Sequence, residues 1–342
     1  MRTAVTVSAL ALAALVIGPV APHASLVAYA SSAASHSGGT PLRPLKADPT
    51  AAPAAPAPTI PAPTATPKKP SAPDPEKEDD PDDDPLHGVV VDTVPYGPHT
   101  HQRMDVWRHM DGLRRPGVFL IHGGWWSSGD KKYMAEITRS YAAQGYAVFN
   151  LNYRLSRDAP WPAQRNDVLD AVTTARRHAA AWSFDPNDYV IVGFSAGGHL
   201  AASAGTYGDG LPGLRGVVGV SPVISPMLAY VDGADTFDLN RRRLREAAIQ
   251  LAGGCEPARC SKVWASMEVA RYASRGDVPM LTLHSHDEFV PVEHSLLLKE
   301  RLHRFGVSMT VATEPGSGHS APLYRLPGVA ERIQDWIARK LL

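Results

Sequence analysis

Cysteine is nearly absent, with two in 342 residues, and neither sign of charge prevails: Lys and Arg total 34, Asp and Glu 34. Two thiols exclude a disulfide-dense miniprotein, an all-cysteine iron–sulfur cluster and a four-thiolate zinc site. A net charge of zero provides no global basic field, so no nucleic-acid partner is expected. Long apolar runs are also missing. The one candidate, Ala4–Ile17, is short for a hydrocarbon core of ~30 Å and is broken by Gly18 and Pro19.

What is present falls into three segments. Residues 1–30 read as an export signal: Arg2 supplies positive charge, Ala4–Ile17 the apolar stretch, and Ala28-Tyr29-Ala30 the small-x-small cleavage site. No cysteine follows the run, which excludes a lipoprotein anchor. Residues 31–85 are rich in Pro, Ala and Thr and end in an acidic run from Asp74 to Asp84. So few large apolar groups cannot offset the entropy of ordering, and a disordered linker is expected. Residues 86–342 are globular in composition and long enough for one catalytic domain. Localisation outside the cell or on its wall follows, with no membrane contact beyond export.

Within the globular part, short β-branched runs alternate with helical patterns. Strands are expected at Val89–Val94, Arg103–Trp107, Gly117–Ile121, Tyr146–Arg154, Asp188–Phe194, Val217–Val220, Pro279–Ser285 and Val307–Thr313. Helices are expected at Lys131–Gln144, capped by Asp130, at Pro162–Trp182, after Ser195, at Pro291–Phe305 and at the C-terminal end. This order implies an α/β fold with a mostly parallel sheet flanked by helices and ligands at the carboxyl ends of the strands. Some 58 residues between the Val217 and Pro279 strands hold one expected helix, Leu239–Leu251. Its sequence, LNRRRLREAAIQL, is too basic for a broad apolar lid, so a small cap or none is expected. Whether it borders the site or packs away from it is open.

Gly193-Phe194-Ser195-Ala196-Gly197 has the form G-x-S-x-G at a strand-to-helix junction, where a nucleophile elbow has to lie. His122-Gly123-Gly124-Trp125-Trp126 ends an earlier strand. Backbone N–H groups of Gly123, Gly124 or Trp125, with that of Ala196, are expected to form an oxyanion hole. His122 is expected to brace the loop. Trp125 and Trp126 either line an acyl pocket or pack in the core. After the Pro279 strand, Asp287 is the expected triad acid, with Glu288 its adjacent alternative; after the last strand, His319 is the expected base. His284, His286 and His294 with Asp287 compete as metal ligands, but that leaves the elbow unexplained. No metal is expected.

These pieces together resemble the α/β-hydrolase superfamily, nearest to its bacterial carboxylesterase, acetyl-xylan or feruloyl esterase and kynurenine-formamidase-like branch with a short H-G-G-x-W loop. The resemblance rests on HGGWW-SSGDK, NYRL, PAQRNDVLDAV, GFSAGGHLAA, HSHDEFVPVEHS and GSGHS. It implies Ser195 as nucleophile, His319 as general base and acid, Asp287 as orienting acid, and no cofactor. Tyr153, Arg154 and Asp167 match positions that brace the sheet edge. The expected substrate is a small-molecule ester or acylated polysaccharide with a short acyl chain, acted on by a monomer. Peptidase or arylformamidase activity, or a non-catalytic surface protein, are the competing functions. Cys255 and Cys260 are expected to form a disulfide if the protein is exported.

Overall fold

The structure, a computed structural model, describes residues 84–341. The expected export signal and nearly all of the linker lie outside the described residues. An eight-stranded sheet runs in the order β1-β2-β4-β3-β5-β6-β7-β8. Its strands are β1 (Val89–Pro95), β2 (Arg103–His109), β3 (Arg115–Ile121), β4 (Ala147–Leu151), β5 (Phe184–Phe194), β6 (Leu214–Val220), β7 (Met280–Ser285) and β8 (Met309–Glu314). β1 and β2 form a hairpin, β2 meets β4 antiparallel, and every later pairing is parallel. This is the α/β-hydrolase arrangement expected from strand–helix alternation.

The unalternating strands have partners on both sides. In β3, Phe119 and Ile121 face one apolar layer while Val118 and Leu120 face the other. The first layer receives α2 (Ala163–Arg177), α3 (Ala196–Gly205) and α7 (Glu293–His303); the second receives α1 (Ala135–Ala143), α8 (Ala321–Tyr324) and α9 (Val329–Ala338). A strand covered twice has no polar face to reveal its period. All ten residues of α3 are buried, which its Gly, Ala and Ser content permits.

Several element boundaries differ from expectation. Asp130 does cap, accepting from the Lys132 N–H at 2.9 Å, but it opens a 3-10 turn, Lys131–Met134, before α1 begins. β4 stops at Leu151 rather than Arg154 because the next residues take other partners. The Asp167 carboxylate, fully buried in α2, accepts from the Arg154 backbone N–H at 2.8 Å, from its guanidinium, and from the Gln102 amide at 2.8 Å. α2 ends at Arg177 instead of Trp182, and Ser183 takes a positive φ of 52° to enter β5.

The segment between β6 and β7 holds three α-helices where one was expected, α4 (Pro226–Asp232), α5 (Leu239–Leu251) and α6 (Ser261–Met267), and a 3-10 turn, Val269–Tyr272. α4 and α6 have seven residues each, too few for a periodic pattern to emerge. Ser225 caps α4, and half-buried Glu268 accepts from the Ser225 hydroxyl and the Met227 N–H. α5 buries Leu244, Ala247, Ala248 and Leu251 and turns Arg242 and Arg243 outward. The sulfurs of Cys255 and Cys260 are bonded, with Cα atoms 5.9 Å apart, closing the loop between α5 and α6.

Candidate active site

Ser195 sits where β5 turns into α3, with φ 52° and ψ −116°. That conformation is costly for a serine and is held by the surroundings: its N–H donates to the Val220 carbonyl at 2.9 Å, and its own carbonyl caps α3 through Gly198 and His199. The close approach of α3 to β3 requires Gly197, where a Cβ would stand 2.3 Å from the Ile121 carbonyl oxygen and 2.4 Å from that of His122. The elbow and the HGGWW loop are therefore pressed together by the glycine that the motif supplies.

The Ser195 hydroxyl lies 2.8 Å from His319 Nε2, and His319 Nδ1 lies 2.5 Å from Glu288 Oε2. The carboxylate accepts the Nδ1 proton, which leaves Nε2 free to accept from the hydroxyl. His319 stands on the loop after β8, which is tied on both sides of it. The Ser320 N–H donates to Ser221 Oγ at 2.9 Å, and Ser285 Oγ donates to the Gly318 carbonyl.

The carboxylate beside His319 is that of Glu288, not that of Asp287. After β7 ends at Ser285 the chain turns, and Asp287 faces solvent with its N–H bonded to the Gly316 carbonyl at 2.9 Å. Glu288 comes back beneath the imidazole, 4% exposed. Its second oxygen accepts from the Ser285 N–H at 2.8 Å and faces His284 Nδ1 at 3.2 Å. Burial alone raises the Glu288 pKa, but the hydrogen bonds from His284 and His319 outweigh it and hold the group below the usual carboxylate range. The acid at the Ser–His pair therefore stays ionised at neutral pH.

The second tryptophan is also corrected. Trp126 is fully buried and donates from Nε1 to His199 Nδ1 at 3.2 Å, so it belongs to the core and not to a substrate wall. Trp125 does line the cleft, together with His122, Gly123, Gly124, Tyr133, Ser195, Phe289 and His319, around a volume of about 440 Å³. Phe289 was not singled out in the sequence. Its ring stacks on Trp125 at 5.1 Å and meets His319 at 4.2 Å. α5 borders the site after all: the Arg243 guanidinium lies over the Trp125 ring at 4.9 Å.

Gly124 takes φ 123°, and a Cβ there would stand 2.1 Å from the Ser128 carbonyl oxygen, so the loop depends on that glycine. Among the described residues, the N–H groups of Gly123, Gly124, Trp125 and Ala196 have no intramolecular acceptor. His122 braces the loop: its Nδ1 meets the Gly123 carbonyl at 2.7 Å, its ring stacks on Tyr153, and burial lowers its pKa to about 4. His284 and His294 are buried and hydrogen-bonded, while His286 is exposed. With Asp287 they form no converging set of ligands among the described residues.

The BD-FAE family model matches residues 104–302, which span the HGGWW loop, the elbow and Glu288. The chain belongs to the BD-FAE family. Among similar curated proteins, esterase LipC of Mycobacterium tuberculosis is 30% identical over 246 residues, covering 67% of this chain and 59% of LipC. Esterase LipQ of the same organism is 35% identical over 123 residues, 34% of this chain and 29% of LipQ. The chain thus spans under two thirds of the length of these relatives. Among solved structures, a truncated carbohydrate esterase from gut microbiota superposes with a TM-score of 0.64 at 23% identity, over 75% of this chain and 98% of that one. An acetyl ester-xyloside bifunctional hydrolase from Caldicellulosiruptor lactoaceticus gives 0.61 at 20% identity, over 72% and 96%. At these identities the likeness is one of fold, and it agrees with the BD-FAE assignment.

Proposed function

We propose that this protein is a serine esterase acting on carboxylic esters through Ser195, His319 and Glu288. The observation that carries the reading is the unbroken hydrogen-bonded line from the Ser195 hydroxyl through imidazole to a buried carboxylate, opening on a cleft. In the proposed reaction His319 takes the Ser195 proton as Oγ attacks the ester carbonyl. Unpaired N–H groups at Gly124 or Trp125 and at Ala196 are suited to hold the negative oxygen that forms, with Gly123 keeping the loop against the elbow. His319 returns the proton to the departing alcohol, and water repeats the sequence on the acyl-enzyme. All these steps are carried by groups of the chain itself.

A cleft of this volume with aromatic walls suits small-molecule esters or the acyl groups of a polysaccharide, with short acyl chains. Similarity to esterases LipC and LipQ supports ester over amide chemistry. Export is part of the proposal, supported by Arg2, the Ala4–Ile17 run, the Ala28-Tyr29-Ala30 site and a disulfide that oxidising surroundings favour. A monomer is proposed. The test is labelling by a fluorophosphonate in wild type and Ser195→Ala, beside hydrolysis of aryl esters, acetylated xylan and an aminopeptidase substrate. Labelling and ester hydrolysis that both vanish in Ser195→Ala are expected. Labelling with amide cleavage and no ester hydrolysis would make the protein a peptidase, and absence of labelling would make it a non-catalytic member of the fold.

A further inference from the structure

A second cluster of chemistry-bearing side chains lies on the same rim of the sheet, outside the cleft. His99 and His101 belong to the turn before β2, and Asp158 belongs to the turn after β4. One donor atom from each comes within 4.8 Å of the other two, the one such grouping of three among the described residues. His101 Nδ1 stands 2.5 Å from Asp158 Oδ2. Both turns are held by hydrogen bonds of their own. The Gln102 N–H donates to the His99 carbonyl at 2.9 Å, the Gln102 side chain accepts from the His99 N–H at 3.0 Å, and the Leu155 N–H donates to Asp158 Oδ2 at 2.9 Å.

We propose that His99, His101 and Asp158 form a binding site for a divalent transition-metal ion of the zinc class, with solvent completing the coordination. Two imidazoles and one carboxylate are a donor set that such ions take, at metal–ligand distances of about 2.0–2.2 Å. Tetrahedral ligation at those lengths separates donor atoms by about 3.3 Å. The His101–Asp158 contact then opens by about 1 Å and the widest pair closes by at most about 1.5 Å, within reach of side-chain rotations at partly exposed positions. The ion would work as a clip and not as a catalyst. It would join the turn before β2 to the turn after β4, whose Ser156 N–H donates to the Trp126 carbonyl at 2.8 Å and so holds the far end of the HGGWW loop. The inference stands apart from the esterase reading, since neither turn contributes to the cleft.

The test uses the full chain stripped by a chelator and titrated with zinc chloride by calorimetry, and with cobalt chloride by visible absorption. Wild type is expected to bind one ion that His99→Ala, His101→Ala and Asp158→Asn each weaken by about tenfold or more. At a hundredfold excess over the dissociation constant, zinc should raise the wild-type melting temperature by roughly 5–10 °C and leave His99→Ala/His101→Ala unmoved. Weak sites elsewhere, such as the acidic run from Asp74 to Asp84, are common to all these proteins and cancel in the comparison. Asp158→Asn preserves shape, so its binding can be read even if the alanine variants fold poorly. Equal affinity in wild type and the double variant, or no saturable binding in wild type, would overturn the proposal.

Discussion

The Arg243 guanidinium from α5 lies over the Trp125 ring while Phe289 stacks on it, so the half-buried tryptophan of the HGGWW loop meets both a cation and an aromatic ring. Its neighbour Trp126, one residue on, is wholly enclosed and bonded to His199. Two adjacent tryptophans thus do opposite jobs, and their substitutions should separate cleanly.

Trp125→Ala is expected to raise KM by about tenfold with a smaller effect on kcat, since it removes a cleft wall and leaves the triad in place. Arg243→Ala should change kcat/KM for neutral esters by only about two- to fivefold, the worth of an exposed cation–π contact. Trp126→Ala should instead destabilise the fold by about 3–5 kcal/mol. Steady-state kinetics beside urea unfolding distinguish these outcomes. A Trp126 variant of normal stability and altered KM would move that ring into the cleft.

Glu288→Gln should lower kcat by about 10³–10⁴-fold, because an amide in that place no longer fixes the His319 tautomer. Asp287→Asn should stay within about twofold of wild type, since that carboxylate faces solvent. Comparable losses in both variants would contradict the orientation seen in the loop after β7.

Acid should unfold the protein through its buried histidines. Burial lowers the pKa of His122 and His199 to about 4 and that of His294 to about 3, whereas the unfolded chain protonates its histidines near 6.5. The unfolded state therefore binds more protons between those values, and stability that is complete above pH 6.5 is lost as pH falls toward 4 and 3. The total is on the order of several kcal/mol. Chemical denaturation at pH 7.5, 6 and 4.5 checks this, and an unchanged midpoint across that range would refute it.

Acyl-chain preference should favour acetyl to butyryl esters over long chains. α5 buries Leu244, Ala247, Ala248 and Leu251 and exposes Leu239 among Arg242, Arg243 and Glu246, so it offers no broad apolar face to a lipid surface. Rates should saturate with dissolved substrate. A jump in rate when the substrate forms droplets would indicate a lipase.

The fold and the strand-to-helix elbow at Ser195 were legible because each leaves a local mark. The apolar runs of β3, β5 and β7 and the helices between them imply a doubly covered parallel sheet, and G-x-S-x-G at a strand end needs a glycine where Gly197 meets β3. His319 was legible as the histidine following the last strand. The choice between Asp287 and Glu288 was not, because it turns on a single residue of loop phase. Adjacent carboxylates look equivalent until the Asp287 N–H to Gly316 bond rotates one outward and the Ser285 N–H draws the other in. Trp126 was ambiguous for a related reason: its partner, His199, lies 73 residues away. α4 and α6 escaped notice because seven residues make barely two helical turns, and their stability comes from contacts such as Glu268 on Ser225.

The complete burial of α3 bears on how the protein dies on heating. The helix that follows Ser195 has no solvent face, and every residue from Ala196 to Gly205 is enclosed between strands and neighbouring helices. It cannot fray or swing out by itself, so the elbow has no route to local melting that spares the interior. Loss of activity at high temperature should then follow the same rate as loss of the whole native structure, with no intermediate that is folded but inactive. The half-life of the activity becomes a direct clock for the unfolding barrier, and substitutions that lengthen it must act on that barrier.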